Sequence, residues 1–256
     1  MSGMTVPPWG PPIDVLPLLA REEQALVGLL SGVGRDEWTA PAAGGATVHE
    51  LIARVLGSKL ARLSRDRDQH RVGDPGTFDA HWVPATRQLS PEVLFALLVD
   101  STAQLTELWK HRDLDEPLDD APAWLVLARD YAGFWVRQQQ VREAVGAPLL
   151  DDRELRTPVV DTFLRALPEA LRSVPARTGR QVACAVEGAG RWTVRSTGDG
   201  WTIAPGAATS RSPLASMTTD ADTFWRLCTG ENVRDRLRTT GDPEVCDAVL
   251  SLRAGL

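Results

Sequence analysis

The sequence predicts an α+β protein, a bundle of about four helices followed by a smaller domain of short strands and helices. As far as Arg172 the apolar residues recur three, four or seven apart, the period of one helix face. Past Gly179 they alternate with polar residues between glycine turns, the period of half-buried strands. With 256 residues, 43% of them hydrophobic, the chain is long enough for two ordinary domains. The expected division is an extended arm over 1–12, a helical bundle over 13–174 and an α+β domain over 175–256.

The arm is rich in proline and glycine. Ile13 to Val33 then carries an apolar stripe, and Pro17 is tolerated because it falls near the first turn. After Trp38 and the loop APAAGGA, Thr47 and Glu50 have the spacing of a capping box. They open the helix TVHELIARVLGSKLARLSRDRD, whose basic last turns suit a helix C-terminus. His70 to Gln88 reads as a connection anchored by Trp82. Ser90 and Pro91 are cap and first residue of SPEVLFALLVDSTAQLTELWK, and DLDEPLDDAP is a surface loop. Pro122 opens a helix that Gly146 ends, and a further helix is expected from Pro158 to Arg172.

SVPARTGR then links to the second domain. RQVACAVEG, GRWTVRST and DGWTIAPG read as strands and LASMTTD as a fourth, while ADTFWRLCTG, VRDRLRTT and PEVCDAVLSL read as short helices. No internal repeat or coiled-coil heptad is present.

A net charge of -6 argues against a surface that tracks phosphates, so no nucleic-acid partner is expected. Cys184, Cys228 and Cys246 are odd in number and widely spaced, which suggests neither a disulfide framework nor a zinc cluster and fits a reducing compartment. No apolar run is long enough to span a bilayer, and the first residues lack the marks of a signal peptide. A cytoplasmic monomer or homodimer without membrane contact is the expectation.

TVHELIARVLGSKLARLSRDRD, LSPEVLFALL, WVRQQQVREAVGAP and VVDTFLRALPEALR, in this order and spacing, resemble the mycothiol-dependent maleylpyruvate isomerase family. GRWTVRSTGDGWTI, FWRLCTG and a Gly-Asp at 241 continue the resemblance toward the C-terminus. It implies a DinB-like helical bundle followed by a domain related in shape to sterol-carrier proteins. It also implies a divalent metal, usually zinc, held by a histidine on the second helix and a glutamate and histidine one turn apart on the fourth. Those positions here read Arg54, Gly133 and Arg137. A zinc ion needs three or four neutral or anionic donors at about 2 Å, and a guanidinium has no lone pair to offer. No metal and no cofactor is therefore expected. His49 lies on a different part of the second helix, and His70, His81 and His111 fall in loop-like segments.

Two roles stand open for Arg54 and Arg137. They are catalytic candidates that hold the carboxylate, enolate or phosphate of a small molecule through planar donors, or members of an internal ion-pair network, Arg54 with Glu50 and Arg137 with Asp130. Tyr131, the only tyrosine, joins them as a hydrogen-bonding candidate or a core ring. Gln138, Trp135, Ser58 and Arg226 are the substrate-binding candidates; Arg226 stands near Arg234 and Arg238 in the domain that the resemblance places over the active site. Cys228 and Cys246 lack a neighbouring histidine and read as inert thiols. The functional expectation is a metal-independent isomerase, cyclase or rearrangement catalyst of specialised metabolism that acts on a small molecule. The alternatives are an inactive binding or interaction protein, and an enzyme that retains the family activity with mycothiol.

Overall fold

The computed structural model describes residues 9–253, so most of the expected N-terminal arm lies outside the described residues. The chain divides into two compact units. One takes in 15–123 and 133–151; the other takes in 9–14, 124–132 and 152–253.

The first unit is helical. α1 (Leu16–Leu30) buries Leu19, Leu26 and Leu30, and α2 (Val48–Arg62) buries an almost continuous face from Val48 through Leu56. The capping box forms as its spacing predicts: Glu50 N donates to Thr47 Oγ1 at 3.2 Å, and Thr47 N donates to Glu50 Oε2 at 3.0 Å. The end of α2 widens into a π-helical turn over Leu63–Arg67. α4 (Pro91–Lys110) opens under Ser90, whose Oγ accepts from Val93 N, and buries Leu94, Leu98, Leu105 and Trp109. The acidic loop holds a short hairpin, β1 (Pro117–Leu118) with β2 (Ala121–Pro122). α5 (Ala123–Ala144) follows, and Gly133–Ala144 of it belongs to this unit.

The segment His70–Gln88, expected to be a plain connection, contains α3 (Pro75–Thr86), capped by Asp74, whose carboxylate accepts from Thr77 N at 3.0 Å. Its sequence has little helical stripe, so packing decides it. Phe78 and Trp82 stack with ring centroids 6.1 Å apart, and Trp82 Nε1 donates to Ala53 O on α2 at 2.7 Å. The close approach depends on Gly57: a β-carbon there would stand 2.6 Å from Trp82 Cδ1. Gly57→Ala is expected to destabilise the protein by about 1 to 2 kcal/mol, because overpacking outweighs the better helix propensity of alanine. Urea unfolding checks this, and a variant as stable as the parent would mean that α3 packs more loosely than described.

The second unit holds a five-stranded sheet in the order β5-β4-β3-β6-β7, formed by β3 (Gln181–Glu187), β4 (Gly190–Ser196), β5 (Trp201–Pro205), β6 (Ala215–Asp220) and β7 (Arg238–Gly241). All pairs are antiparallel except β3 with β6. Val182, Cys184, Val186, Trp192, Val194, Ile203 and Met217 are buried. The four strands read from the alternating pattern are β3 to β6.

VRDRLRTT is not a helix. It makes one 3-10 turn over Arg234–Arg236 and then the edge strand β7. Here non-local pairing with β6 prevails, and Gly241, at φ 108°, lies where a β-carbon would meet Leu214 O at 2.3 Å.

α6 (Arg153–Leu164) starts five residues earlier than expected, under the Asp152 cap. It stops before α7 (Leu167–Ala170), because Pro168 has no N–H and its ring crowds the carbonyl one turn back. α7, α8 (Ala221–Cys228) and α9 (Pro243–Leu250) pack on the sheet. Asp161 on α6 ties this unit together: it pairs with Arg165 at 2.9 Å and accepts from Trp192 Nε1 at 2.7 Å. No helix among the described residues is long and apolar enough to cross a membrane.

Candidate functional site

Arg54 and Ser58 lie one turn apart on α2. The Arg54 side chain is 41% exposed and Nη1 stands 3.3 Å from Asp79 Oδ2 on α3, while Ser58 Oγ donates to Arg54 O at 2.9 Å. Arg54 therefore keeps much of its hydration. Its partner is not Glu50, the anion one turn back: the Glu50 carboxylate is taken by Arg87 at 2.7 Å and by the helix cap, and these contacts, Arg87 first, hold its pKa below the usual carboxylate range.

Arg137 is half-buried on α5, with Nη1 donating to Gly133 O at 3.2 Å. Trp135 and Gln138, on the same stretch of helix, are buried. Gln138 Nε2 donates to both Glu22 O (2.9 Å) and Glu22 Oε1 (3.1 Å) on α1. Tyr131 is fully buried in the other unit, and its hydroxyl donates to Leu155 O at 2.8 Å, which ties α5 to α6. Arg226, also in that unit, pairs with Asp222 at 3.0 Å and Glu231 at 3.2 Å over the Trp225 ring. The candidates thus fall into three groups: Arg54 with Ser58, the α5 stretch Trp135 to Gln138, and Tyr131 and Arg226 with partners in the sheet-containing unit.

Gln138 leads to a polar cluster that the sequence reading missed. Lys59 on α2 is buried; its Nζ lies 3.1 Å from Glu23 Oε1, 2.6 Å from Thr102 Oγ1 on α4 and 4.6 Å from the Phe134 ring centre. Glu22 is 2% exposed, and desolvation raises its pKa to about 7, opposed by Lys59 and Arg142 and reinforced by Glu23. Burial also raises the Glu23 pKa, against the pull of Lys59. Arg142 closes the cluster, with Nε 3.4 Å from Gln138 Oε1 and Nη2 donating to Ala25 O. A signal for this cluster existed: Glu22 falls three after Leu19 and four before Leu26, on the apolar stripe of α1.

The residues present do not fit a divalent metal at the positions implied by the resemblance, since Arg54, Gly133 and Arg137 offer no donor side chain. Among the described residues no group of three or more histidine, cysteine or acidic side chains is arranged to hold an ion. His70, His81 and His111 are exposed, and His49 Nε2 contacts Leu89 O at 3.2 Å. Cys184 and Cys228 are buried, which pushes the Cys184 thiol up to about 12 and the Cys228 thiol upward as well.

No family model matches the chain, and no curated protein matches it. Solved structures do match. A mycothiol-dependent maleylpyruvate isomerase aligns with a TM-score of 0.59 at 17% identity, over 90% of this chain and 94% of that one. A mutant of such an isomerase aligns with a TM-score of 0.57 at the same identity and coverage. Over nine-tenths of its length, then, this chain has the α+β fold of mycothiol-dependent maleylpyruvate isomerase.

Proposed function

We propose that the chain is a small-molecule enzyme of the isomerase type that acts on an anionic substrate, with Arg54 and Arg137 in place of a divalent metal. The observation that carries this reading is the shared fold combined with two guanidinium groups at positions where the resemblance implies metal ligands. Arg54 suits the role, because it is half in water and its contact with Asp79 is long for a charge-assisted bond. An anion drawn to either guanidinium is oriented by its planar pairs of N–H groups, and negative charge that develops on its oxygen during isomerisation, cyclisation or rearrangement is stabilised. Mycothiol is the proposed thiol partner, on the strength of the names of the two structural neighbours. Cys184 and Cys228 are too buried and too weakly acidic to supply a thiolate themselves.

A second reading, an inactive binding protein, draws on the Arg54 to Asp79 ion pair, which gives that arginine a structural occupation.

Titration of maleylpyruvate, with and without mycothiol, into the parent and into Arg54→Met and Arg137→Met tests both. The first reading expects turnover by the parent and a loss of about tenfold or more in each variant. Stability should change little in Arg54→Met, by about 0 to 1 kcal/mol, because an exposed pair contributes little. Binding without turnover supports the second reading, and variants that bind and react like the parent defeat the role of the arginines.

A further inference from the structure

We infer that an open cavity at the C-terminal ends of α2 and α4 is a binding site for a small organic monocarboxylate, with its charged group at Arg112 and its apolar body along Leu108. The cavity measures about 530 Å³ and is lined by Arg67, Gln104, Glu107, Leu108, His111 and Arg112, and most of its exposed wall is apolar. That is a size suited to a small organic molecule. It lies beyond the end of α2, at least eight residues along the chain from Arg54, and stands independently of the function proposed above.

The cationic side chains around the cavity differ in whether their donors are already satisfied. Arg67 is held by both oxygens of Asp68, at 2.7 and 2.8 Å, and by Gln104. Arg62 and Arg65 both donate to the buried Asp66, each at 3.2 Å. His111 is 2.7 Å from Glu107. Arg112 differs. Its side chain is only 23% exposed, the nearest carboxylate oxygen, on Asp66, is 4.0 Å away, and its guanidinium makes no hydrogen bond among the described residues. Its Nε is buried without an acceptor, and so is Nε1 of Trp109, whose ring lies 6.0 Å from the Arg112 guanidinium carbon.

The Arg112 side chain is mostly buried and its Nε–H has no acceptor, whereas buried polar groups are nearly always paired. A carboxylate matches a guanidinium in charge and in planar, two-pronged geometry. Glu107 on the rim selects the class further. Its pKa is lowered, chiefly by His111 and then by Lys110, so it stays ionised and disfavours a ligand with a second negative charge. The apolar wall disfavours a bare inorganic anion, which would lose its water there without compensation.

Calorimetric titration with benzoate, benzyl alcohol and inorganic phosphate tests the site. Saturable benzoate binding below about 10 mM is expected, with benzyl alcohol and phosphate each at least about tenfold weaker because one lacks the charge and the other the apolar body. Arg112→Met should weaken benzoate by about tenfold or more, and Leu108→Trp, which fills the cavity and leaves the charge in place, should do the same. Thermal melting of both variants identifies any that fails to fold, and the other variant then carries the test. Arg54→Met should leave benzoate affinity unchanged. Absence of saturable binding, equal binding by benzyl alcohol or phosphate, unchanged affinity in a folded Arg112 or Leu108 variant, or loss in Arg54→Met alone would each overturn the assignment.

Discussion

Lys59→Met is expected to lower the free energy of unfolding by about 3 to 5 kcal/mol, the cost typical of stranding a buried charge. The ammonium group sits among four helices, bonded to Glu23 and Thr102 and over the face of Phe134. Methionine fills a similar volume and keeps contact with the ring, so the loss isolates the charge. Glu23 is left without its cation and Thr102 without its donor. Adding Glu23→Gln to Lys59→Met should recover part of the loss, because the stranded carboxylate disappears with its partner, and the two effects should be strongly non-additive. Urea unfolding of both single variants and the double measures this. A loss below about 1 kcal/mol for Lys59→Met would mean that the cluster is hydrated in solution and is not an element of the core.

Stability should fall as the pH rises from about 4.5 to above about 7, and Glu22→Gln should remove that fall. Burial raises the Glu22 pKa from its ordinary 4.5 to about 7 in the folded chain. Between these values the folded state holds a proton that the unfolded state has released. The stabilisation from the protonated carboxyl is therefore complete below the unfolded pKa and is lost as the pH passes through the folded one. The difference corresponds to roughly 3 kcal/mol at pH 8, at 1.36 kcal/mol per unit of pKa. Glutamine keeps an acceptor for Gln138 and cannot ionise. Relative to the parent, Glu22→Gln should be about as stable at pH 4 and more stable by up to about 3 kcal/mol at pH 8. Denaturant unfolding at several pH values reads out the difference between the two proteins, in which titrations elsewhere cancel. Parallel pH profiles for parent and variant would contradict a carboxyl that titrates near neutrality.

Both effects arise from residues that interrupt apolar stripes, and such interruptions are visible in sequence. Their meaning is not. Glu22 and Lys59 stand on core-facing positions of α1 and α2, where a charged residue can still reach out from a boundary into water. Only the arrangement of α1, α2, α4 and α5 decides that these side chains are enclosed and that each finds its partners. Arg54 illustrates the reverse. Its position was legible from the resemblance, whereas its half-exposed setting and its pairing with Asp79 depend on α3, a helix with almost no stripe to announce it.

What the sequence determined by itself is what short-range physics encodes: the helix period, the Thr47 to Glu50 capping box, the Ser90 and Pro91 start, and the strand alternation from Gln181 to Asp220. Each is settled by residues within a few positions of one another, so local hydrogen bonds and side-chain period suffice. The tertiary structure alone decided that Pro75–Thr86 is a helix seated on Gly57, that Arg238–Gly241 is an edge strand, and that Glu22 is held where it is costly to ionise. Those outcomes depend on groups brought together from distant parts of the chain. Burial, which sets both the room for a side chain and the cost of its charge, exists only once the chain has packed.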